Sequence, residues 1–217
     1  MNTDEKFVVT ISREIGSGGH SVGKLLAKKL GVRFCDKELV KALRERFNLS
    51  TYEIEKLKGE KKSWLSDILQ IISPSPQIAL LNDPGSSYLG EFRPDVTTDD
   101  IVKAESEIMR GIAEDGSCVI MGRSGFFILK DCPNKVDVFI TAPREKRIER
   151  VMMKQEMNRE TAEIIVDEVD RMRENYIKRY TKTSRYDARN YSITINMDGI
   201  TEDQAVNIIL EYLKCEK

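Results

Sequence analysis

The sequence predicts a three-layer α/β sandwich in which helices flank a mostly parallel sheet of about five strands. Three observations support this fold class: short β-branched apolar segments recur, amphipathic segments with a helical period alternate with them, and a glycine-rich turn follows the first apolar segment. Apolar segments without alternation are typical of strands buried on both faces. Strand–helix alternation is typical of parallel connections. We expect a single domain over residues 1–217.

The first strand and helix surround the most informative stretch. Residues 7–11 (FVVTI) predict a buried strand, and an amphipathic helix begins near His20 or Ser21 and ends at Gly31. The turn between them contains Gly16, Ser17, Gly18 and Gly19. Glycines let backbone N–H groups converge on an anion, and the helix N-terminus adds partial positive charge. This stretch therefore predicts a phosphate site.

The remaining elements repeat the same alternation. Further strands are predicted at residues 32–35, 117–121, 136–140 and 191–196. Helices are predicted at residues 36–47, 98–113, 143–156, 161–180 and 201–214. Between residues 48 and 97 the pattern loosens and proline and glycine accumulate. We interpret this part as a helical and loop insert that covers a substrate.

Composition excludes several classes of partner. The chain has 35 basic and 36 acidic residues, so no field of one sign attracts it to nucleic acid or to an anionic membrane. No apolar run approaches the roughly 18 residues that span a bilayer. The polar start, MNTDEKF, lacks the apolar core of a signal peptide. We expect a cytosolic protein that acts on a small molecule.

Cysteine and histidine content narrows the chemistry further. The cysteines are scattered without metal-ligand spacing, at Cys35, Cys118, Cys132 and Cys215. His20 is the only histidine, which excludes an HExxH zinc site and any multi-histidine metal cluster.

Two registers relate the glycine turn to the phosphate-loop pattern GxxxxGK[ST], whose lysine reaches the β- and γ-phosphates and whose hydroxyl binds magnesium. The first matches the letters at Gly18, Gly23 and Lys24. It places Leu25 at the hydroxyl position and Lys24 well inside the helix, where a solvated lysine is the simpler interpretation.

The second register follows the start of the helix. Arg13 then replaces the first glycine, Gly19 replaces the lysine, and Ser21 supplies the hydroxyl for magnesium. Arg13 and His20 are available to replace the missing charge. The predicted nucleotide-binding residues are Gly16, Ser17, Gly18, Gly19, His20 and Ser21. An ordinary strand–helix turn is the alternative.

Several segments, in order along the chain, resemble the cytidylate kinase-like family, relatives of bacterial cytidylate kinase. They are SREIGSGGHSVGKLLAKKLGVRFCDKELV, VIMGRSGFFIL, VFITAPREKRIERV, DRMRENY and YSITINMDGITEDQAVNII. The resemblance covers most of residues 6–213 and is weakest between residues 48 and 97. It implies a P-loop kinase of the nucleoside monophosphate kinase class, with ATP and Mg²⁺ on the loop, an acceptor beneath the insert, and a lid at about residues 147–185.

The resemblance also implies site residues. Arg123 corresponds to the arginine of the family's GRD segment, and Asp170 and Arg173 to its D-x-x-R lid pair; all three would contact the acceptor CMP. Asp36 resembles the aspartate that begins the acceptor region, where it would contact the acceptor or a magnesium-bound water. A plain helix N-cap is the alternative for Asp36.

Phosphoryl transfer depends on positive charge around the phosphoryl oxygens. Catalytic roles are therefore predicted for Arg13, Arg123, Arg147 and Arg150, the last two of which share one helix face. Surface ion pairs with nearby glutamates are the alternative for arginines of the lid.

Three positions depart from the family pattern. Gly19 stands in place of the lysine, Ser124 in place of the GRD aspartate, and Ala42 in place of an acceptor arginine. We predict ATP-dependent phosphoryl transfer to a nucleoside monophosphate, with a CMP-like acceptor favoured. Another small acceptor, or a regulatory nucleotide-binding protein with a decayed kinase site, is the alternative.

Overall fold

The computed structural model describes residues 2–36, 38–49, 54 and 96–215. Its strands are β1 (Val8–Arg13), β2 (Arg33–Cys35), β3 (Cys118–Met121), β4 (Lys135–Thr141) and β5 (Ile193–Asn196). Its helices are α1 (Gly19–Leu30), α2 (Glu38–Phe47), α3 (Thr98–Asp115), α4 (Gly125–Ile128), α5 (Arg144–Gln155), α6 (Arg159–Thr181) and α7 (Glu202–Lys214). The insert predicted at 48–97 lies almost entirely outside the described residues.

The strands form one parallel sheet in the order β2-β3-β1-β4-β5. The central strand β1 pairs with β3 on one side, where Val9 is opposite Val119, and with β4 on the other, where Val9 is opposite Val136. This confirms the predicted fold class. Because every strand runs in the same direction, all five carboxyl ends meet at one edge, where open α/β sheets bind their ligands.

Helices cover both faces of the sheet, which explains why its strands do not alternate in polarity. Val9 and Ile11 pack against α1 and α7 on one face, whereas Val8 packs against α2 and α3 on the other. Gly31 ends α1 as predicted: its left-handed φ of +68° lets its N–H donate back to the carbonyl groups of the last turn.

A third apolar cluster joins α5 to α6 beside the glycine turn. Its buried residues are Ile148, Val151, Ala162, Ile165, Val166 and Val169. Ile15, from the turn itself, packs against this cluster. The turn is therefore held from outside the sheet by the two helices that were predicted as the lid.

Several boundaries differ from the prediction for local reasons. β1 continues past residue 11 because Ser12 and Arg13 still pair with Phe139 and Ile140 of β4. The helix α1 begins at Gly19, one residue earlier than predicted. The four-residue helix α4 was not predicted, since one turn is too short to show a period.

Candidate functional site

The glycine turn at residues 14–18 is a tight loop in which two glycines have left-handed backbone conformations. Gly16 and Gly18 have φ angles of +76° and +88°. A Cβ at Gly16 would lie 2.5 Å from the carbonyl oxygen of Arg147, and a Cβ at Gly18 would collide with Nη1 of Arg150. The positive φ angles favour glycine at both positions, and at Gly16 the backbone of Arg147 also leaves no space for a side chain. Helix α5 therefore packs directly onto the loop.

The structure favours the register that follows the helix start. Lys24 is exposed in the second turn of α1, and Gly23 is buried where a Cβ would lie 2.6 Å from Sδ of Met121. The letter match at these residues therefore reflects helix packing. Counting from Gly19, the residue that follows the lysine position is His20, so the predicted hydroxyl residue, Ser21, lies one position beyond the place where a magnesium ligand is expected.

His20 and Asp36 meet at the carboxyl edge of the sheet. Nε2 of His20 lies 3.0 Å from Oδ2 of Asp36, and the imidazole ring lies edge-on to Phe34 with ring centroids 5.4 Å apart. Burial alone would raise the pKa of Asp36, but the hydrogen bond with His20 and the charge of Arg13 bring it below the ordinary value. Asp36 is therefore a carboxylate beside the phosphate loop.

Four arginines converge where β1, β3 and α6 meet. They are Arg13, Arg123, Arg173 and Arg185. In addition to burial, the positive charges of the other three arginines lower the pKa of Arg13, and those of Arg123 and Arg185 also lower the pKa of Arg173. Burial and the charge of Arg173 lower the pKa of Arg13 to about 9. Burial, opposed by Asp170 and reinforced by Arg185 and Arg123, lowers the pKa of Arg173 to about 10. A bound anion would reduce the repulsion among these positive charges.

Asp170 holds this cluster together. Its Oδ1 accepts from the backbone N–H of Ile15 at 3.1 Å and from Arg173 and Arg185 at 3.4 Å each. Its Oδ2 accepts from Nη1 of Arg147 at 2.6 Å. The structure thus brings Asp170 and Arg173 together, as predicted, but both carboxylate oxygens of Asp170 already contact protein donors.

Arg147 lies beneath the loop. Its guanidinium donates to Asp170, to the carbonyl of Ala142 at 3.1 Å and, over 3.4 Å, to the carbonyl of Ile15; it also pairs with Glu14 at 3.5 Å. These acceptors occupy a buried guanidinium, so Arg147 fixes the loop in place in this structure. Its catalytic role stays a prediction.

Arg150, in contrast, remains at the rim of the loop. Its Nη1 lies against Gly18 and 2.7 Å from Oε1 of Glu202. It also lines a cavity of about 190 Å³ between the loop, α5 and the β5–α7 turn. The other lining residues are Gly16, Ser17, Ala142, Lys146, Glu149, Met153, Met197, Asp198 and Gly199.

Arg123 lies in an unusual backbone turn after β3. Gly122, Arg123 and Ser124 are three successive left-handed residues, with φ of +67°, +55° and +57°. Non-glycine residues adopt this conformation at a cost, and such strain clusters at functional sites. Hydrogen bonds from Gly122 N to Ile11 O (2.8 Å) and from Gly125 N to Gly122 O (3.0 Å) hold the turn.

Glu105 and Arg185 belong to the site but were not predicted. Glu105 is fully buried on α3, accepts from the Tyr176 hydroxyl at 2.7 Å, and pairs with Nη1 of Arg123 at 3.5 Å. Burial, together with this carboxylate, raises the pKa of Tyr176. A signal was present in the sequence, because Glu105 falls at a helical spacing from Ile101 on the apolar face of α3.

Arg185 is 2% exposed and donates to the carbonyl of Arg13 as well as to Asp170. Its Nε atom has no hydrogen-bond partner among the described residues. No local pattern distinguishes it from the other arginines of this charged region.

The sequence profile of the cytidylate kinase-like family matches residues 8–199. The chain belongs to the cytidylate kinase-like family. Membership of this kinase-like family supports phosphoryl transfer as the general activity. The match spans the glycine loop, the Arg123 turn and both helices that carry Asp170 and Arg150.

Solved structures confirm the fold. An uncharacterized protein from Eubacterium ventriosum aligns with a TM-score of 0.67 at 24% identity, covering 97% of this chain and 100% of that one. Shikimate kinase from Bacteroides thetaiotaomicron aligns with a TM-score of 0.55 at 14% identity, covering 97% and 100%. Shikimate kinase from Acinetobacter baumannii, solved with shikimate, aligns at 0.52 and 13% identity, covering 96% and 92%.

One curated relative matches part of the chain. A uronate isomerase from Corynebacterium glutamicum is 28% identical over 105 residues, which are 48% of this chain and 20% of that protein. The chain thus spans about a fifth of that relative's length. In the part of the chain that the structure describes, no helix is both long and apolar enough to cross a membrane.

Proposed function

We propose that this protein transfers the terminal phosphoryl group of ATP to a nucleoside monophosphate, with a CMP-like acceptor favoured. The observation that carries the proposal is the cluster of Arg13, Arg123, Arg173 and Arg185 beside a glycine loop. Burial and the neighbouring guanidinium charges lower the pKa of Arg13 and of Arg173, and a bound polyanion would stabilise the charged form of both. Phosphoryl transfer needs such positioned charge and little covalent chemistry from the protein.

The loop fits the phosphates of ATP. Gly16 and Gly18 form a cradle that any Cβ would fill, and the N-terminus of α1 directs its N–H groups toward the same edge. We assign the base of ATP to the cavity beside Arg150. Its volume of about 190 Å³ is below the ~300–1,000 Å³ of pockets that hold whole ligands, so it suits one part of a nucleotide.

The acceptor side is assigned to Arg123 and Arg173. A guanidinium matches the oxygens of a phosphate with two parallel donors. Asp170 serves this side by holding Arg173 and Arg185; a direct contact between Asp170 and a cytosine amine would require it to exchange one of its present partners. This contact stays a prediction.

Mg²⁺, when bound, would neutralise charge on the β- and γ-phosphate oxygens. Among the described residues, no three His, Cys, Asp or Glu side chains could hold a metal by themselves. Kinases commonly hold Mg²⁺ with only one or two protein groups plus substrate phosphates. Asp36 has the chemistry for this role, because its lowered pKa keeps it a carboxylate, and Ser21 stays the predicted hydroxyl ligand.

The test is a radiolabelled ATP transfer screen over nucleoside monophosphates and small metabolites, with thermal shifts measured alongside. We expect label on a monophosphate, best on CMP, and stabilisation by both an ATP analogue and that monophosphate. Arg173→Ala is expected to remove the monophosphate shift. Arg171→Ala, which removes an exposed arginine paired with Glu168 on the same helix, is expected to leave it.

A regulatory nucleotide-binding role is the second candidate, favoured by Gly19 at the lysine position and Ser124 at the aspartate position. Stabilisation by ATP analogues without any monophosphate shift or label transfer would support that role and exclude the kinase. Label on an acceptor that is not a nucleotide would keep phosphoryl transfer and replace only the acceptor.

Glu105 gives a separate prediction about Arg123. Glu105→Gln removes the buried charge that faces Arg123 but keeps a side chain of the same shape. The glutamine amide no longer opposes the guanidinium charge of Arg123, so we expect kcat/KM for the acceptor to fall about tenfold while KM for ATP stays nearly constant.

Glu107→Gln is the matched control for this variant, because Glu107 lies on the same helix but pairs with Arg46 at the surface. Steady-state kinetics with each substrate varied separately measure the effect. Equal behaviour of the two variants would show that Glu105 does not position Arg123.

A further inference from the structure

Arg13 and Gly19 occupy one shared volume at the start of α1. A Cβ added to Gly19 would lie 2.6 Å from Cβ of Arg13, 3.1 Å from its Cγ and 3.2 Å from Cβ of Ile140. Real Cβ atoms essentially never come within 3.0 Å of another heavy atom, so the contact with Cβ of Arg13 is excluded. A lysine at position 19 and an arginine at position 13 therefore exclude each other in this backbone.

A second glycine makes room for the other end of the same side chain. A Cβ at Gly122 would collide with Nη1 of Arg13. Gly19 thus accommodates the stem of Arg13 and Gly122 accommodates its guanidinium group. The side chain runs from the end of β1 across to the end of β3, along the edge where the phosphate loop lies.

The charge of Arg13 is placed at the centre of the site. The guanidinium interacts with Arg173, Arg123 and Arg185, and Asp36 is the carboxylate that opposes them. His20, the other cation available near the loop, is already paired with Asp36, and its side chain is 47% exposed. Arg13 is the better placed of the two to contact a buried phosphate.

We infer that Arg13 is the phosphate-binding cation of this loop, and that Arg13 and Gly19 together are an exchange of the glycine and lysine positions of the common pattern. The pattern GxxxxGK has glycine first and lysine seventh, whereas this chain has Arg13 first and Gly19 seventh. This loop therefore carries its cation at the end of the strand, whereas the common pattern carries it at the start of the helix. This inference rests on the proposed function, since it assumes that the bound anion is the triphosphate of ATP.

The test is a double-mutant cycle of Arg13→Gly, Gly19→Lys and the double variant that restores the common pattern. ATP and AMP affinities are measured by calorimetry, and melting temperatures by calorimetric scanning. A charge-assisted contact to the outer phosphates predicts that Arg13→Gly weakens ATP binding at least about 30-fold and AMP binding less than about threefold. Gly19→Lys alone is expected to lower the melting temperature because of the clash.

The double variant is expected to bind ATP at least about tenfold more tightly than Arg13→Gly, and to melt above Gly19→Lys. Strictly additive effects, or equal losses for ATP and AMP, would overturn the exchange. If Arg13→Gly does not fold, Arg13→Lys replaces it; an ATP affinity unchanged in Arg13→Lys and Arg13→Gln alike would also overturn it. A native protein that binds no ATP would instead reject the proposed function and this inference with it.

Discussion

Replacing Arg123 with alanine is expected to lower kcat at least about 100-fold, the usual effect of removing a preorganised charge from developing phosphoryl charge. Three left-handed residues after β3 hold Arg123 at the carboxyl edge of the sheet, and buried Glu105 faces its guanidinium. This fixed position gives the side chain little reorganisation to make during transfer. Steady-state phosphoryl transfer to the best acceptor of the screen measures the change.

The control must separate lost charge from lost folding, because Arg123→Ala leaves the carboxylate of Glu105 buried beside Tyr176 without its cation. The double variant Arg123→Ala, Glu105→Gln removes that uncompensated charge and should recover thermal stability but not activity. Arg110→Ala removes an exposed arginine from α3 and should keep full activity. A loss below about threefold in Arg123→Ala would return this residue to a structural role.

The sheet could be predicted because its signal is local. Each strand is a short apolar segment, and burial on both faces by helices removes alternation from all of them in the same way. The end of β1 was predicted too early because a local signal stops at the last apolar residue. Ser12 and Arg13 are polar, and only their pairing with β4 shows that the strand continues. Pairing partners more than a hundred residues apart leave no local trace.

The sequence indicated where the site residues lie along the chain, but not which partners their side chains contact. Glycine spacing located the loop, and the resemblance located Arg123, Asp170 and Arg173, which the structure brings together. Helical periodicity placed Arg147 on the same face as Arg150, yet tertiary packing gives the two different surroundings: one is buried under Ile15, the other lies at the rim of the cavity. A single sequence contains no measure of that difference.

The absence of a lysine at position 19 also has two interpretations in the sequence. From the letters alone, Gly19 indicates either a decayed loop or a relocated charge. The volume shared by Gly19 and Arg13 supports the relocated charge that we infer above, since loss of the lysine by decay gives no reason for an arginine stem to fill its place. The same reasoning explains Gly122, whose lack of a side chain accommodates the Arg13 guanidinium.

Replacing Gly18 with valine is expected to abolish detectable ATP binding while the protein stays folded. Gly18 is the left-handed N-cap of α1, with φ of +88°, and a Cβ there would meet the guanidinium of Arg150. A β-branched residue is strained at this φ and would displace the N–H groups of the cradle. Calorimetric titration with a non-hydrolysable ATP analogue measures binding, and circular dichroism confirms the fold.

Gly31→Val is the matched control, because Gly31 has a similar φ of +68° at the opposite end of the same helix and no atom lies within 4 Å of its added Cβ. Both variants carry backbone strain of ~1–3 kcal/mol, so both should melt at lower temperature. Only Gly18→Val changes the loop, so only it should lose ATP. Equal ATP affinity in the two variants would mean that the phosphates bind elsewhere, and the glycine loop would then be an ordinary turn between a strand and a helix.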